Sequence, residues 1–267
     1  MSRALILSGG AFRGAIQVPI IEHLKLTHKY DAVYGVSVGA INGAMFAQDD
    51  LVNLRELWDN INDVSGFLSL KWYWPFNGLY SMNPMRKKIE RYLKLDKMKI
   101  PFHAGVVSFT DGEYRNMPSK DMETNLELWD AVQASSCMAG IMVPPIIPID
   151  GSPHVGCDGG FRNIMPIPED MDYDYLDVVL CTPIDRIKNK EFSKIDVFNI
   201  FKRTLEILED EVFDKDILQL VESRSIVRIF SPNEYPGDSL DASKEIINFR
   251  YELGKRAISN PIILTHK

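Results

Sequence analysis

Gly35-Val36-Ser37-Val38-Gly39 fits the pattern G-x-S-x-G, and the chemistry it suggests is nucleophilic attack by a serine on a carbonyl. The pattern has mechanical meaning only between a strand and a helix. There a strained turn lifts the serine Oγ out of the sheet, and neighbouring Cβ atoms would collide. Residues 31–34 read as a short apolar strand closed by Gly35, and Ala40, Ile41, Ala44 and Met45 recur at helical spacing behind it. Ser37 would then sit beside a helix N-terminus, whose dipole and free amides favour negative charge. A turn with Ser37 as a simple N-cap is the bland reading of the same residues. The strand before and the helix after favour the nucleophile.

A serine nucleophile needs a base. α/β-Hydrolases run Ser, acid, His in chain order and place several strands before the serine, whereas here one strand precedes the strand leading into Ser37. Of the five histidines, His23 and His28 lie on or just after the first helix, and His266 is penultimate, where chains fray. His103 opens a strand and suits surface or core duty. His154, in a loop close to Cys157, stays open as a base. Asp158-Gly159-Gly160 offers a carboxylate beside two glycines that allow close backbone approach. A carboxylate can act directly as base when desolvation raises its pKa and it lies within hydrogen-bond reach of Oγ. Taken alone, Asp-Gly-Gly is an ordinary β-turn.

Ser8-Gly9-Gly10-Ala11-Phe12-Arg13-Gly14 is the third element. A glycine-rich turn between a strand and a helix points backbone N–H groups at an anion, either a phosphate or an oxyanion. The dinucleotide pattern G-x-G-x-x-G fails, because Ala11 holds the middle glycine's place and Asp31 precedes the second strand instead of ending it. As an oxyanion hole, the loop after the first strand would neighbour Ser37 after the second in a parallel sheet.

These groups need a frame. Strand, glycine turn, helix, strand, glycine turn, helix within 47 residues begins an α/β fold with a parallel sheet. Further strands are expected at 102–109, 113–117, 176–181 and 225–230, and helices at 50–62, 84–95, 125–137, 196–221 and 241–258. No Pro, Gly or Ser linker divides the 267 residues, so one domain is expected. Two segments break the pattern: the aromatic stretch 72–82 and the proline-interrupted run 141–149. Neither suits a central strand or a regular helix.

Composition is that of a globular protein, with 45% apolar and 25% charged residues, which excludes disorder, collagen and coiled coil. A net charge of −7 argues against nucleic acid as a partner. Cys137, Cys157 and Cys181 form no CxxC pair and read as small buried residues of a reducing compartment. No metal or cofactor is expected. The N-terminal apolar run stops at Ser8, too short for a signal-peptide core, and no window is long enough to span a membrane. A cytoplasmic protein is expected, with membrane contact only at its periphery.

The three motifs in order resemble the patatin-like phospholipase family: a glycine-rich loop with Arg13, then G-x-S-x-G, then a distant D-G-G. Tyr80-Ser81-Met82-Asn83-Pro84-Met85 looks like the family's segment leading into a helix, and Ala134-Ser135-Ser136-Cys137 through Pro144-Pro145 resembles its A-S-x-A…P-P stretch. Asp158 through Pro166 resembles its D-G-G…N-x-P continuation. The resemblance covers about residues 3–185 and leaves the part from about 190 to 267 unaccounted for. It implies a three-layer α/β sandwich with a mostly parallel central sheet flanked by helices. It also implies a Ser37–Asp158 dyad, an acyl-enzyme on Ser37, and an oxyanion hole at Gly9, Gly10 and Ala11 helped by the Val38 N–H. Arg13 would steady the loop by pairing with a carboxylate or carbonyl. Gly14, Gly35, Gly39, Gly159 and Gly160 would shape the turns. Ala11 departs from the family's usual glycine, and if that position needs a positive φ it costs about 1 kcal/mol or more.

The implied activity is hydrolysis of a phospholipid or another fatty-acyl ester. Segments 72–82 and 141–149 are candidates for an acyl channel, a lid or a membrane-dipping surface, or else for plain core covering. Residues 86–99 hold seven basic and two acidic side chains, which fit either headgroup contact at a membrane surface or a solvated helix face. Segment 206–222, with seven acids and one lysine, reads as a solvated or partner-facing helix. Two readings from another class stand beside the hydrolase. One is a weak or inactive scaffold, supported by Ala11, and the other a protein-binding module using the aromatic loop.

Overall fold

The apolar runs that begin the chain form the centre of a sheet. In the computed structural model, which describes residues 1–70, 80–168, 173–185 and 197–265, β1 (Arg3–Leu7) and β2 (Ala32–Val36) pair in parallel across α1 (Gln17–Thr27). α2 (Val38–Ala47) and α3 (Leu51–Asp59) follow, then the short strands β3 (Ser69–Leu70) and β4 (Tyr80–Ser81), and α4 (Asn83–Tyr92). β5 (Phe102–Ser108), β6 (Tyr114–Pro118), α5 (Asn125–Ser135), β7 (Ile146–Ile149) and β8 (Ser152–Asp158) come next. β9 (Tyr175–Val179), α6 (Val197–Glu222), β10 (Ile226–Phe230), α7 (Lys244–Ile258) and β11 (Ile262–Leu264) complete the described chain.

The large sheet runs β11-β10-β9-β1-β2-β5-β8-β7, with β6 also paired to β5. Its centre, from β10 to β5, is parallel, and the antiparallel strands lie at its margins. Parallel neighbours need crossover connections, and helices laid over both faces explain why β2 is buried along its whole length. Alternate residues of β1 serve opposite layers. Leu5 and Leu7 join Val33 and Phe102 against the layer that includes α1 and α2, while Ala4 and Ile6 join Tyr34, Leu176 and Val178 against Phe213 and Leu220 of α6. This is the helix–sheet–helix sandwich expected from the sequence.

The strands and helices expected from periodicity lie within three residues of those found. The strands without an expected counterpart are β3, β4, β11 and those of the β7–β8 hairpin. Gly151, Pro153 and Gly156 break up the hairpin's pattern, so His154, expected in a loop, instead lies within β8. The run 141–149 does avoid the sheet centre. Its last four residues form the edge strand β7, where Pro148 needs no ladder bond; Ile147 and Ile149 face inward, and Ile146 and Pro148 outward. Most of the aromatic stretch 72–82 lies outside the described residues.

Midway along β9, Asp177 is fully buried. It accepts from Arg228 (2.6 and 2.7 Å), Arg3 (2.8 Å) and the Tyr30 hydroxyl (2.6 Å), tying β1, β9 and β10 together. Burial alone would raise its pKa, but these donors hold it below the usual carboxylate value. Removing the charge would strand two guanidinium groups. Asp177→Asn is therefore expected to lower unfolding free energy by about 3–5 kcal/mol at pH 7, read from urea denaturation. Because the folded pKa lies below the unfolded one, the difference from wild type should shrink as pH falls below about 4.

Candidate active site

The glycines around Ser37 are required by backbone contact. A Cβ on Gly35 would lie 2.2 Å from the Gly39 carbonyl oxygen, and one on Gly39 would lie 2.3 Å from that of Leu7. With α2 pressed this closely onto the ends of β1 and β2, Ser37 takes φ 57° and ψ −128°. A non-glycine residue holds such a conformation only where its surroundings over-determine it. The residues ending α5 do so. The Ser37 N–H donates to Ser135 Oγ (3.1 Å), Ser135 donates onward to the Gly105 carbonyl (2.6 Å), and Ser136 donates to the Ser37 carbonyl (3.0 Å).

The same segment places Asp158, whose N–H donates to the Cys137 carbonyl (2.9 Å) at the end of β8. Asp158 Oδ1 accepts the Gly160 N–H (2.8 Å), and the Ser37 hydroxyl lies near enough to favour the charged carboxylate. Burial pushes its pKa up to about 7, only partly opposed by those two donors. Residues 121 positions apart in sequence are thus brought to one site.

The loop after β1 forms the third wall. A Cβ on Gly9 would stand 3.3 Å from that of Ser37. Gly10 (φ 156°) lies where a Cβ would meet Cys181 at 2.4 Å, and Ala11 takes φ 49°. Ala11 therefore occupies a left-handed conformation that glycine adopts more readily. The Gly9 N–H donates to the Ile164 carbonyl (3.1 Å). Among the described residues, the N–H groups of Gly10, Ala11 and Val38 have no such acceptor. Behind the loop lies a buried network that the sequence reading missed. Gln17 donates to the Ser8 carbonyl (2.9 Å), Asn42 to Gln17 (2.8 Å) and to the Gly14 carbonyl (3.0 Å), and Trp58 to Asn42 (3.0 Å). Gly14 packs against Val38 and Trp58. Two amide side chains inside apolar helical stretches were the only available signal.

Arg13 donates to the Gly237 carbonyl (3.0 Å) and to Tyr235 Oη (3.1 Å). His154 Nδ1 bonds Ser108 Oγ (2.8 Å) and lies 3.7 Å from Asp111. His103 stacks on Tyr34, where burial lowers its pKa to about 4. His23 lies on α1, His28 caps it, and His266 is outside the described residues. All three cysteines are buried, and burial pushes each thiol up to about 12. Part of the basic run 86–99 is neutralised internally, with Arg86 against Glu90 and Asp130 and Lys99 against Asp49. Among the described residues no cluster of three or more acids, histidines or cysteines could hold a metal ion, and no helix is long and apolar enough to cross a membrane.

A serine on a strand-to-helix elbow, near a carboxylate from another strand, is a nucleophile-elbow arrangement within an α/β fold. The family model for patatin-like phospholipases matches residues 5–171, which include the glycine loop, the elbow and Asp158, and the chain belongs to that family. It is 30% identical over 173 residues to patatin-like phospholipase domain-containing protein 7 of Rattus norvegicus, covering 61% of this chain and 12% of that protein. It is 27% identical over 176 residues to neuropathy target esterase sws of Drosophila melanogaster, covering 62% and 12% respectively. The matched stretch is thus a small part of those relatives. The crystal structure of VipD from Legionella pneumophila aligns with a TM-score of 0.42 at 12% identity, over 99% of this chain and 68% of that one.

The raised pKa of Asp158 has a measurable sign. A carboxyl that ionises near 7 folded and near 4 unfolded makes the native state lose stability as pH climbs between those values. Asp158→Asn is expected to be more stable than wild type at pH 8, by roughly 2 kcal/mol, with the advantage gone at pH 4. Urea midpoints at both pH values test this, and an equal difference at both would contradict it.

Proposed function

We propose that the protein is a lipid acyl hydrolase that cleaves carboxylic esters through an acyl-enzyme on Ser37. The observation carrying this reading is the strained elbow that holds Ser37 at φ 57° beside the Asp158 carboxylate, whose pKa burial raises to about 7. As Ser37 Oγ attacks the ester carbonyl carbon, its proton passes to Asp158. The oxyanion lies toward the N–H groups of Gly10, Ala11 and Val38. Collapse of the tetrahedral species breaks the ester C–O bond, and Asp158 returns the proton to the leaving alcohol. Water then attacks the acyl-serine, with Asp158 again taking the proton before returning it to Ser37, and the fatty acid departs. Gly9 belongs to this hole as scaffold, since its N–H is already bonded.

A fatty-acyl substrate suits the surroundings. Phe161 directly follows Asp158-Gly159-Gly160, its ring centroid lies 6.4 Å from that of Phe109, and Phe109 and Ile146 are exposed. The names of the relatives, a phospholipase-domain protein and an esterase, agree with this reading. The membrane would be met transiently at its surface.

Fatty-acid release from mixed phospholipid vesicles, together with cleavage of p-nitrophenyl butyrate, tests the proposal. Ser37→Ala and Asp158→Asn should each lower kcat by at least roughly 1000-fold while remaining folded. In wild type, kcat/KM should fall about tenfold per pH unit below 7, as the base becomes protonated. Full activity in Asp158→Asn would overturn the dyad. No turnover of either substrate by wild type would favour the inactive scaffold.

A further inference from the structure

Arg250 of α7 is a cation with no exposed surface, and its three hydrogen bonds run to main-chain carbonyls: Pro236 (3.0 Å), Asp238 (2.5 Å) and Asp241 (2.6 Å). Burying a guanidinium is costly unless its donors are satisfied. Here the satisfied donors gather one loop. That loop has a second side. The Gly237 carbonyl accepts from Arg13 Nε (3.0 Å), and the Ser239 carbonyl accepts the Phe12 N–H (3.0 Å). Successive carbonyls from 236 to 239 therefore alternate, the even ones turned to Arg250 and the odd ones to the residues that follow Ala11. One turn beyond Arg250, a Cβ on Gly254 would lie 2.2 Å from the Ile16 carbonyl oxygen, so α7 also bears directly on the segment leading into α1.

We infer that Arg250 is a positioning residue for the glycine loop, fixing the 236–241 segment against which Phe12 and Arg13 close and so setting the direction of the Gly10 and Ala11 amides. The inference rests on the hydrolase reading for its catalytic consequence but not for its structural one. A guanidinium suits the task because its fork of donors spans three carbonyls, whereas the single ammonium of lysine is a shorter point charge. Burial and the nearby Arg13 pull its pKa down to about 10, still charged at neutral pH.

The test compares wild type with Arg250→Met and Arg250→Lys by kcat and KM on p-nitrophenyl butyrate, and by amide hydrogen exchange over residues 9–14. A small displacement of catalytic groups costs on the order of 100-fold, so Arg250→Met should lose about that much kcat. KM should stay within about threefold, and exchange over 9–14 should speed at least tenfold, with Arg250→Lys intermediate. Tyr30→Phe, which loosens the Asp177 cluster, should lower Tm and leave both readouts unchanged. A folded Arg250→Met with wild-type kcat and wild-type exchange would overturn the inference. If Arg250→Met does not fold, Arg250→Lys and Arg13→Met decide it. Non-additive losses of kcat and protection support the shared loop, and additive losses refute it. Should wild type show no Ser37-dependent turnover, the hydrolase reading fails, and exchange over 9–14 alone judges Arg250.

Discussion

The crossing of α2 over the ends of β1 and β2 is the constraint on which the rest of the site depends. At Gly35 and Gly39 backbone touches backbone, leaving no room for a side chain. The chain can make that crossing only by putting Ser37 into a left-handed conformation, which costs of order 1–3 kcal/mol. The strain is offset locally by the hydrogen bonds Ser37 donates to Ser135 and accepts from Ser136, each worth about 1 kcal/mol net. Because β1 and β2 are parallel neighbours, the same crossing brings the glycine loop alongside Ser37. A sheet that ended its strands elsewhere would leave the loop and the serine apart.

Two carboxylates in one sheet, Asp177 fully buried and Asp158 half-buried, are treated in opposite ways. Asp177 meets two guanidinium groups and a phenol and is held ionised. Among the described residues Asp158 has no cation against it, only the Ser37 hydroxyl and the Gly160 amide nearby, and desolvation prevails. A carboxylate paired with arginine is too weak a base to take a proton from a serine, whereas one left without a counter-charge keeps its proton affinity at neutral pH. Among the described residues no arginine stands beside Asp158, which suits the role of base proposed for it.

The elbow was legible because its chemistry and its geometry share one short stretch, with the glycines, the serine and the helical spacing all within about ten residues. Asp158 was legible only in company, since Asp-Gly-Gly has no local feature to set it apart from a turn. The residues that hold these groups carried weaker signals. Ser135 and Ser136 end a helix where serine is unremarkable, and their value lies in which carbonyl and amide happen to face them. Gln17 and Asn42 satisfy loop carbonyls from inside apolar helices. β8 escaped notice for a different reason. Its pairing with β5 and β7 is made by backbone groups, which prolines and glycines in the sequence conceal.

The family match ends at residue 171, yet the glycine loop is held from beyond that boundary. Cys181 closes on Gly10 and its N–H bonds Ser8 Oγ (3.0 Å), while Asp216 of α6 accepts the Met165 N–H (2.9 Å) one residue from the carbonyl that binds Gly9. The carbonyls of Gly237 and Ser239 reach the loop from its other side. Backbone carbonyls and amides supply most of these contacts, so many sequences can supply them equally well. A pattern of side chains therefore points to the candidate site residues, while the part of the chain that backs them carries no pattern to read. The geometry of the glycine loop is set where the sequence is least distinctive.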